Sequence, residues 1–161
     1  MKIGVIADTH IPYSALRLPN EICNVFKSVD LILHAGDLVE ISVLDELNKL
    51  AETQAVYGNM DEFEVRKALP EKRIIEIGKF KIGLIHGYGA PFNLRNKVKK
   101  EFSQKVDVIV FGHSHSPVND IQDDILFFNP GSPTDKIFAK YNSYGILTIE
   151  DEIKGEIIKL K

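Results

Sequence analysis

Gly112-His113-Ser114-His115 follows the apolar run Val106 to Phe111 (VDVIVF). A short apolar run of that kind reads as a buried strand. The two histidines, separated by one residue, leave its end together on a loop. The glycine before them lets the backbone turn where a side chain would obstruct it. Imidazole nitrogens bind divalent transition metals, but a lone His-x-His is equally a polar loop. The neighbouring runs decide between the two. Lys2 to Ala7 (KIGVIA) runs into Asp8-Thr9-His10, and Leu31 to His34 (LILH) into Ala35-Gly36-Asp37. Phe80 to Ile85 (FKIGLI) runs into His86-Gly87, and the shorter Gln54 to Tyr57 ends in Gly58-Asn59-Met60-Asp61. Five strand ends therefore carry Asp8, His10, Asp37, Asn59, His86, His113 and His115. Ligands of open α/β sheets bind at the carboxyl edge of the strands, where such residues converge.

Working outward, helices are expected between the runs. Pro19 suits a first helical turn, with Leu18, Ile22, Val25, Phe26 and Val29 on one face. A second helix covers about Ile41 to Ala51, with Ile41, Leu44, Leu47 and Ala51 inward. Asp61-x-x-Glu64 has capping-box spacing for a short third helix. Arg73 to Ile77 and Phe80 to Ile85 read as a hairpin across Gly78-Lys79. A fourth helix runs from about Pro91 to Gln104 with Leu94, Val98 and Phe102 inward. Its basic residues, Arg95, Lys97, Lys99, Lys100 and Lys105, read as a solvated face rather than a polyanion-binding surface. Beyond the histidines, Pro117 to Ile121, Ile125 to Phe128, Tyr144 to Ile149 and Glu156 to Leu160 read as mostly antiparallel strands. The pattern is α/β: two packed, mixed sheets with helices outside, in one domain over residues 1–161. Segments 8–17 and 129–143 are too long to be simple turns, and long loops in a compact domain are often functional.

The 161 residues are 44% hydrophobic and 27% charged, an ordinary globular composition. The net charge of -3 argues against nucleic acid held on a broad basic surface. One cysteine, Cys23, excludes an intrachain disulfide and a cysteine-rich zinc site, and suits a reducing compartment. The chain opens directly on a strand and carries no apolar run of membrane length, so a cytoplasmic location is expected.

Carboxylates, imidazoles and one amide oxygen form a sulfur-free ligand set. It suits Mn²⁺, Fe²⁺, Co²⁺, Ni²⁺ or Zn²⁺. Seven ligands are too many for one tetrahedral ion and fit two ions that share a bridging carboxylate. Two ions about 3.5–4 Å apart can deprotonate a bridging water and clamp a phosphoryl oxygen, and the resulting hydroxide attacks phosphorus in line. The ordered blocks Asp8-x-His10, Gly36-Asp37, Gly58-Asn59, His86 and Gly112-His113-x-His115 resemble the signature of the calcineurin-like metallophosphoesterases. The resemblance covers essentially the whole chain and is closest to the small single-domain bacterial and archaeal phosphodiesterases. It implies a four-layer αββα sandwich with two metal ions, Mn²⁺ foremost, at the strand ends. It also implies that Asp8, His10 and His115 hold one ion, that Asn59, His86 and His113 hold the other, and that Asp37 bridges. Asp37, Asn59 and His113 would also be catalytic residues, and a small phosphodiester would be the substrate.

Many members of the wider family read Gly-Asn-His-Glu at the asparagine block, and that histidine is held to protonate the leaving group. Met60 stands there in this chain. Asp61 is the alternative acid, although a capping role explains it as well. His34, inside a strand, reads as a hydrogen-bonded core residue. Tyr13, Tyr88, Asn129 and Ser132 are candidate substrate contacts. The chain also resembles the retromer subunit of the same fold, which binds proteins and has altered several ligand positions. A catalytically weak scaffold is therefore the competing reading. A nuclease is disfavoured by the short, mildly acidic chain. Homo-oligomerisation is left open.

Overall fold

A computed structural model describes residues 1–161. In chain order its elements are β1 (Lys2–Ile6), α1 (Asn20–Phe26), β2 (Leu31–His34), α2 (Ile41–Asn48), β3 (Thr53–Ala55), α3 (Phe63–Ala68) and β4 (Lys72–Ile77). They continue with β5 (Phe80–Ile85), α4 (Leu94–Lys100), β6 (Val108–Val110), β7 (Val118–Gln122), β8 (Ile125–Asn129), β9 (Ser143–Ile149) and β10 (Ile153–Lys159).

Two five-stranded sheets form, ordered β10-β9-β1-β2-β3 and β4-β5-β6-β8-β7. β1, β2 and β3 run parallel, as do β5, β6 and β8; the outer pairings are antiparallel. Side chains alternate across each strand. Ile3, Val5 and Leu33 of the first sheet therefore meet Ile82, Leu84, Val108, Val110 and Phe128 of the second in a shared core. The opposite face of the first sheet, with Ile6 and Ile32, is covered by Ile22 and Phe26 of α1, Leu47 of α2 and Val65 of α3. The opposite face of the second, with Ile85, Ile109 and Phe127, is covered by Leu94 and Val98 of α4. The expected four layers, αββα, are present.

Several boundaries differ from the sequence reading. Pro19 is the N-cap of α1, one residue outside the helix. α2 stops at Asn48, and it buries Val43 beside Leu47. α4 begins at Leu94, because Asn93 adopts a left-handed φ of 57° that a continuing helix cannot contain. Asp61 does not cap α3: Glu62 occupies that position, and no side chain makes a capping bond there. β8 joins β6 in parallel, so the last third is less antiparallel than expected.

Candidate metal centre

The carboxyl ends of β1, β2, β5 and β6, with the turn after β3, meet where the two sheets come together. Five of the seven expected ligands sit in the left-handed region: Asp8 (φ 54°), His10 (43°), Asp37 (58°), His113 (70°) and His115 (55°). Each such non-glycine conformation costs about 1–2 kcal/mol, and strain of this kind concentrates at functional sites. The turns aim consecutive side chains into one space. Two motif glycines let the loops close on each other. A Cβ on Gly112 would lie 2.8 Å from Asp8 Oδ2, and one on Gly58 would lie 2.7 Å from the Asp37 backbone nitrogen.

All seven side chains are brought together. The donor atoms of Asp8, His10 and His115 lie within 4.8 Å of one another, and so do those of Asp8, Asp37 and His86. Asn59 Oδ1 is 3.2 Å from His86 Nε2 and 3.1 Å from His113 Nδ1. Asp37 Oδ2 lies between the groups, 3.6 Å from His10 Nε2 and 3.2 Å from His86 Nε2.

Surrounding groups hold these atoms in place. The far nitrogen of each of three imidazoles donates outward: His86 Nδ1 to the Ala35 carbonyl (2.8 Å), His113 Nε2 to the Gly89 carbonyl (2.6 Å) and His115 Nδ1 to the Asp135 carboxylate. This arrangement presents a lone pair on His86 Nε2, His113 Nδ1 and His115 Nε2. Asp37 Oδ1 accepts the Met60 N–H at 2.8 Å, which leaves Oδ2 facing the cluster. The Asp8 carboxylate accepts the His113 N–H. Imidazole and carboxylate lone pairs this close repel one another unless protons or metal cations sit among them, so the residues fit divalent metal.

Electrostatics give the same picture. Burial disfavours protonated His86, but the Asp37 and Asp8 carboxylates outweigh it and push its pKa up to about 9. His115 is likewise opposed by burial and raised to about 9 by Asp8 and Asp135. Burial pushes the Asp37 carboxyl up, but His86 beside it prevails and holds it below its ordinary value. Without metal, the folded protein therefore binds protons that the unfolded chain, with histidines near 6.5, has already released. That contribution to stability is complete below about pH 6.5 and is lost as pH rises through about 9. The melting temperature of chelator-stripped protein should accordingly fall between pH 7 and 9; a flat profile would contradict the assignment.

His34 is the core residue the sequence suggested. It is fully buried, and burial lowers its pKa to about 3. Its Nδ1 accepts the Gly36 N–H at 3.1 Å. Its Nε2 then donates to Thr9 Oγ1 at 3.1 Å, and that hydroxyl donates to the Asp37 carbonyl. Asp61 is also buried. Its oxygens accept N–H groups from Asp37 (3.0 Å), Val39 (2.6 Å) and Gly58 (2.6 Å). Burial still pushes its pKa up. The carboxylate is a strut between the Asp37 and Asn59 loops, and it does not line the cleft above the ligands.

Of the candidate substrate contacts, only Tyr13 borders that cleft. Tyr88 donates instead to Glu101 at 3.1 Å. Asn129 and Ser132 are buried braces. Asn129 Nδ2 donates to the Gly112 carbonyl (2.9 Å), and Ser132 Oγ donates to the Asp8 carbonyl (2.7 Å). The sequence reading missed Asp135. Its only signal was the long 129–143 segment, where Asp135 is the one acidic residue. Because Asp135 fixes the His115 tautomer, Asp135→Asn is expected to weaken metal binding about 10–100-fold. Calorimetric titration of stripped protein with Mn²⁺ would measure this, and unchanged affinity would contradict it.

The family model of the calcineurin-like phosphoesterase superfamily domain matches residues 1–152. The chain belongs to that superfamily, and with it to the metal-dependent phosphoester hydrolases. It is similar to a probable metallophosphoesterase of Methanocaldococcus jannaschii, 40% identical over 164 residues that cover 100% of this chain and 82% of that protein. A phosphodiesterase of the same archaeon is 34% identical over 170 residues, covering 98% and 99%. Among solved structures, Vps29 of Entamoeba histolytica complexed with Zn²⁺ superposes with a TM-score of 0.79 at 28% identity, covering 99% of each chain.

Proposed function

We propose that residues 1–161 form a two-metal phosphodiesterase acting on small diesters in the cytoplasm. Asp8, His10 and His115 would hold one ion, and Asn59, His86 and His113 the other. Asp37 would join them through Oδ2. The position of that oxygen, within 3.6 Å of His10 Nε2 and 3.2 Å of His86 Nε2, carries the reading. Two divalent cations, Mn²⁺ foremost, would supply an activated water and neutralise charge on the phosphoryl oxygens. The protein contributes orientation. Its ligand atoms are fixed before substrate arrives, so little reorganisation accompanies reaction. Half-exposed Met60 borders the cleft at the position where the family resemblance would place a proton-donating histidine. Leaving groups that need little protonation are therefore favoured.

The likeness to Vps29 favours one competing reading, a scaffold of the same fold. Seven convergent ligands are more than a protein-binding surface requires, which is why hydrolysis is preferred. Stripped protein restored with Mn²⁺ should hydrolyse bis-p-nitrophenyl phosphate faster than p-nitrophenyl phosphate, and His113→Ala should abolish both activities. Absence of turnover with Mn²⁺, Fe²⁺, Co²⁺, Ni²⁺ and Zn²⁺, despite two bound ions, would favour the scaffold.

A further inference from the structure

The cleft above the ligands has a volume of about 500 Å³. His10, Asp37, Asn59, His113 and His115 line it, together with an apolar set: Tyr13, Met60, Ile137 and Phe138. Ile137 is 82% exposed, Phe138 77% and Tyr13 66%. None of the four belongs to the molecule's three hydrophobic clusters. Large apolar side chains held open beside a reactive centre point to an apolar ligand.

The tip that carries two of them is tied to the metal ligands. Asp135 accepts N–H groups from Ile137 (2.8 Å), Phe138 and Ala139 (2.9 Å), and the same carboxylate holds His115. The Phe138 ring meets the His115 ring edge-on, with centroids 6.2 Å apart. An apolar group seated on the tip is thus positioned relative to the ligand cluster.

The charges lining the cleft complete the pattern. No lysine or arginine lines it. Lys136 and Lys140 flank the tip in sequence but lie outside the lining. Arg66 reaches the Asn59 loop, yet its guanidinium donates to the carbonyls of Asn59 (2.6 Å) and Asp61 (2.8 Å). Negative charge away from the reacting phosphorus would therefore meet no lysine or arginine in the lining and would lie near Asp135.

We propose that Ile137 and Phe138, with Tyr13 and Met60, seat an uncharged aromatic ester arm, so the substrates are diesters with a single charge at phosphorus. This rests on the phosphodiesterase reading and specifies its substrate class. An aromatic ring gains affinity by covering the apolar rim, and a charged ring loses that gain because its anion is left unpaired.

The test compares ligands of the Mn²⁺-loaded protein that differ only in their arms. Diphenyl phosphate should bind about tenfold more tightly than dimethyl phosphate, the scale expected for part of a ring's apolar area. A para-carboxylate on each ring should remove that advantage. The double variant Ile137→Ser/Phe138→Ser should remove it while retaining two bound ions, and Ile137→Lys should restore affinity for the carboxylated rings. Phe63→Ala, at an exposed aromatic on α3 outside the cleft, should leave the preference intact. Equal affinity for diphenyl and dimethyl phosphate, or a preference that survives the double variant, would overturn the proposal. The two readings separate cleanly. Aryl preference without turnover of any diester overturns the phosphodiesterase alone, whereas turnover without aryl preference overturns the aromatic arm alone.

Discussion

Asp61→Ala is expected to destabilise the protein by about 3–5 kcal/mol, the largest effect of any single substitution at the site. The Asp61 carboxylate is buried and accepts three backbone N–H groups from two loops, at Asp37, Val39 and Gly58. Alanine leaves all three donors without their carboxylate partner. For a chain of this size the melting temperature should drop by about 10 °C. Asp61→Asn should lose less, since an amide oxygen can still accept from Asp37 and Gly58. Its NH₂ would then face the Val39 N–H, so the loss stays measurable. Thermal unfolding followed by circular dichroism gives the answer, and a melting temperature unchanged in Asp61→Ala would refute the strut. The same variants separate the strut from a proton donor. A donor's loss slows poor leaving groups selectively. Loosened loops slow good and poor leaving groups by the same factor, which is the result expected here.

Asp37→Ala should lower metal-dependent diester turnover by about 10³-fold or more, a magnitude set by the loss of the shared carboxylate and of one bound ion together. Asp37 Oδ2 approaches the imidazoles of both proposed groups, His10 and His86, more closely than any other carboxylate oxygen does, while Oδ1 is engaged by the Met60 N–H. One other carboxylate, Asp8, reaches both imidazoles, but it does not line the cleft. Asp8 Oδ1 lies 3.9 Å from His10 and from His86 and 3.4 Å from His115, but its carboxylate also accepts the His113 N–H. Metal content after dialysis should fall from two ions per chain to one. Two ions retained with near-normal turnover would move the bridging role from Asp37 to Asp8.

The strands and the seven convergent side chains were legible because both follow from local patterns. Four-residue LILH before Ala35-Gly36-Asp37 is a strand with a turn by apolar content and glycine alone. Parallel strands then bring their carboxyl ends to one edge whatever the details of packing. Asp61 shows where this reading fails. Its spacing to Glu64 satisfies a capping box, but backbone donors from residues 37 and 39, distant in sequence, claim the carboxylate first. Asp135, Asn129 and Ser132 were opaque for the same reason. Their partners His115, Gly112 and Asp8 lie on other loops, 20, 17 and 124 residues away, and no periodicity reports a contact between separate loops. The helix ends of α2 and α4 moved because apolar spacing marks a buried face and not its last turn. Leu50, Ala51 and Phe102 pack on the core from turns beyond the helices.

The central claim is that this ligand set holds two ions that act together on a phosphodiester. The most direct measurement is turnover of bis-p-nitrophenyl phosphate by stripped protein as Mn²⁺ is added in fractions of an equivalent. Activity should lag through the first equivalent, rise through the second and saturate at two ions per chain. Full activity at one equivalent, or none at two, would contradict the account.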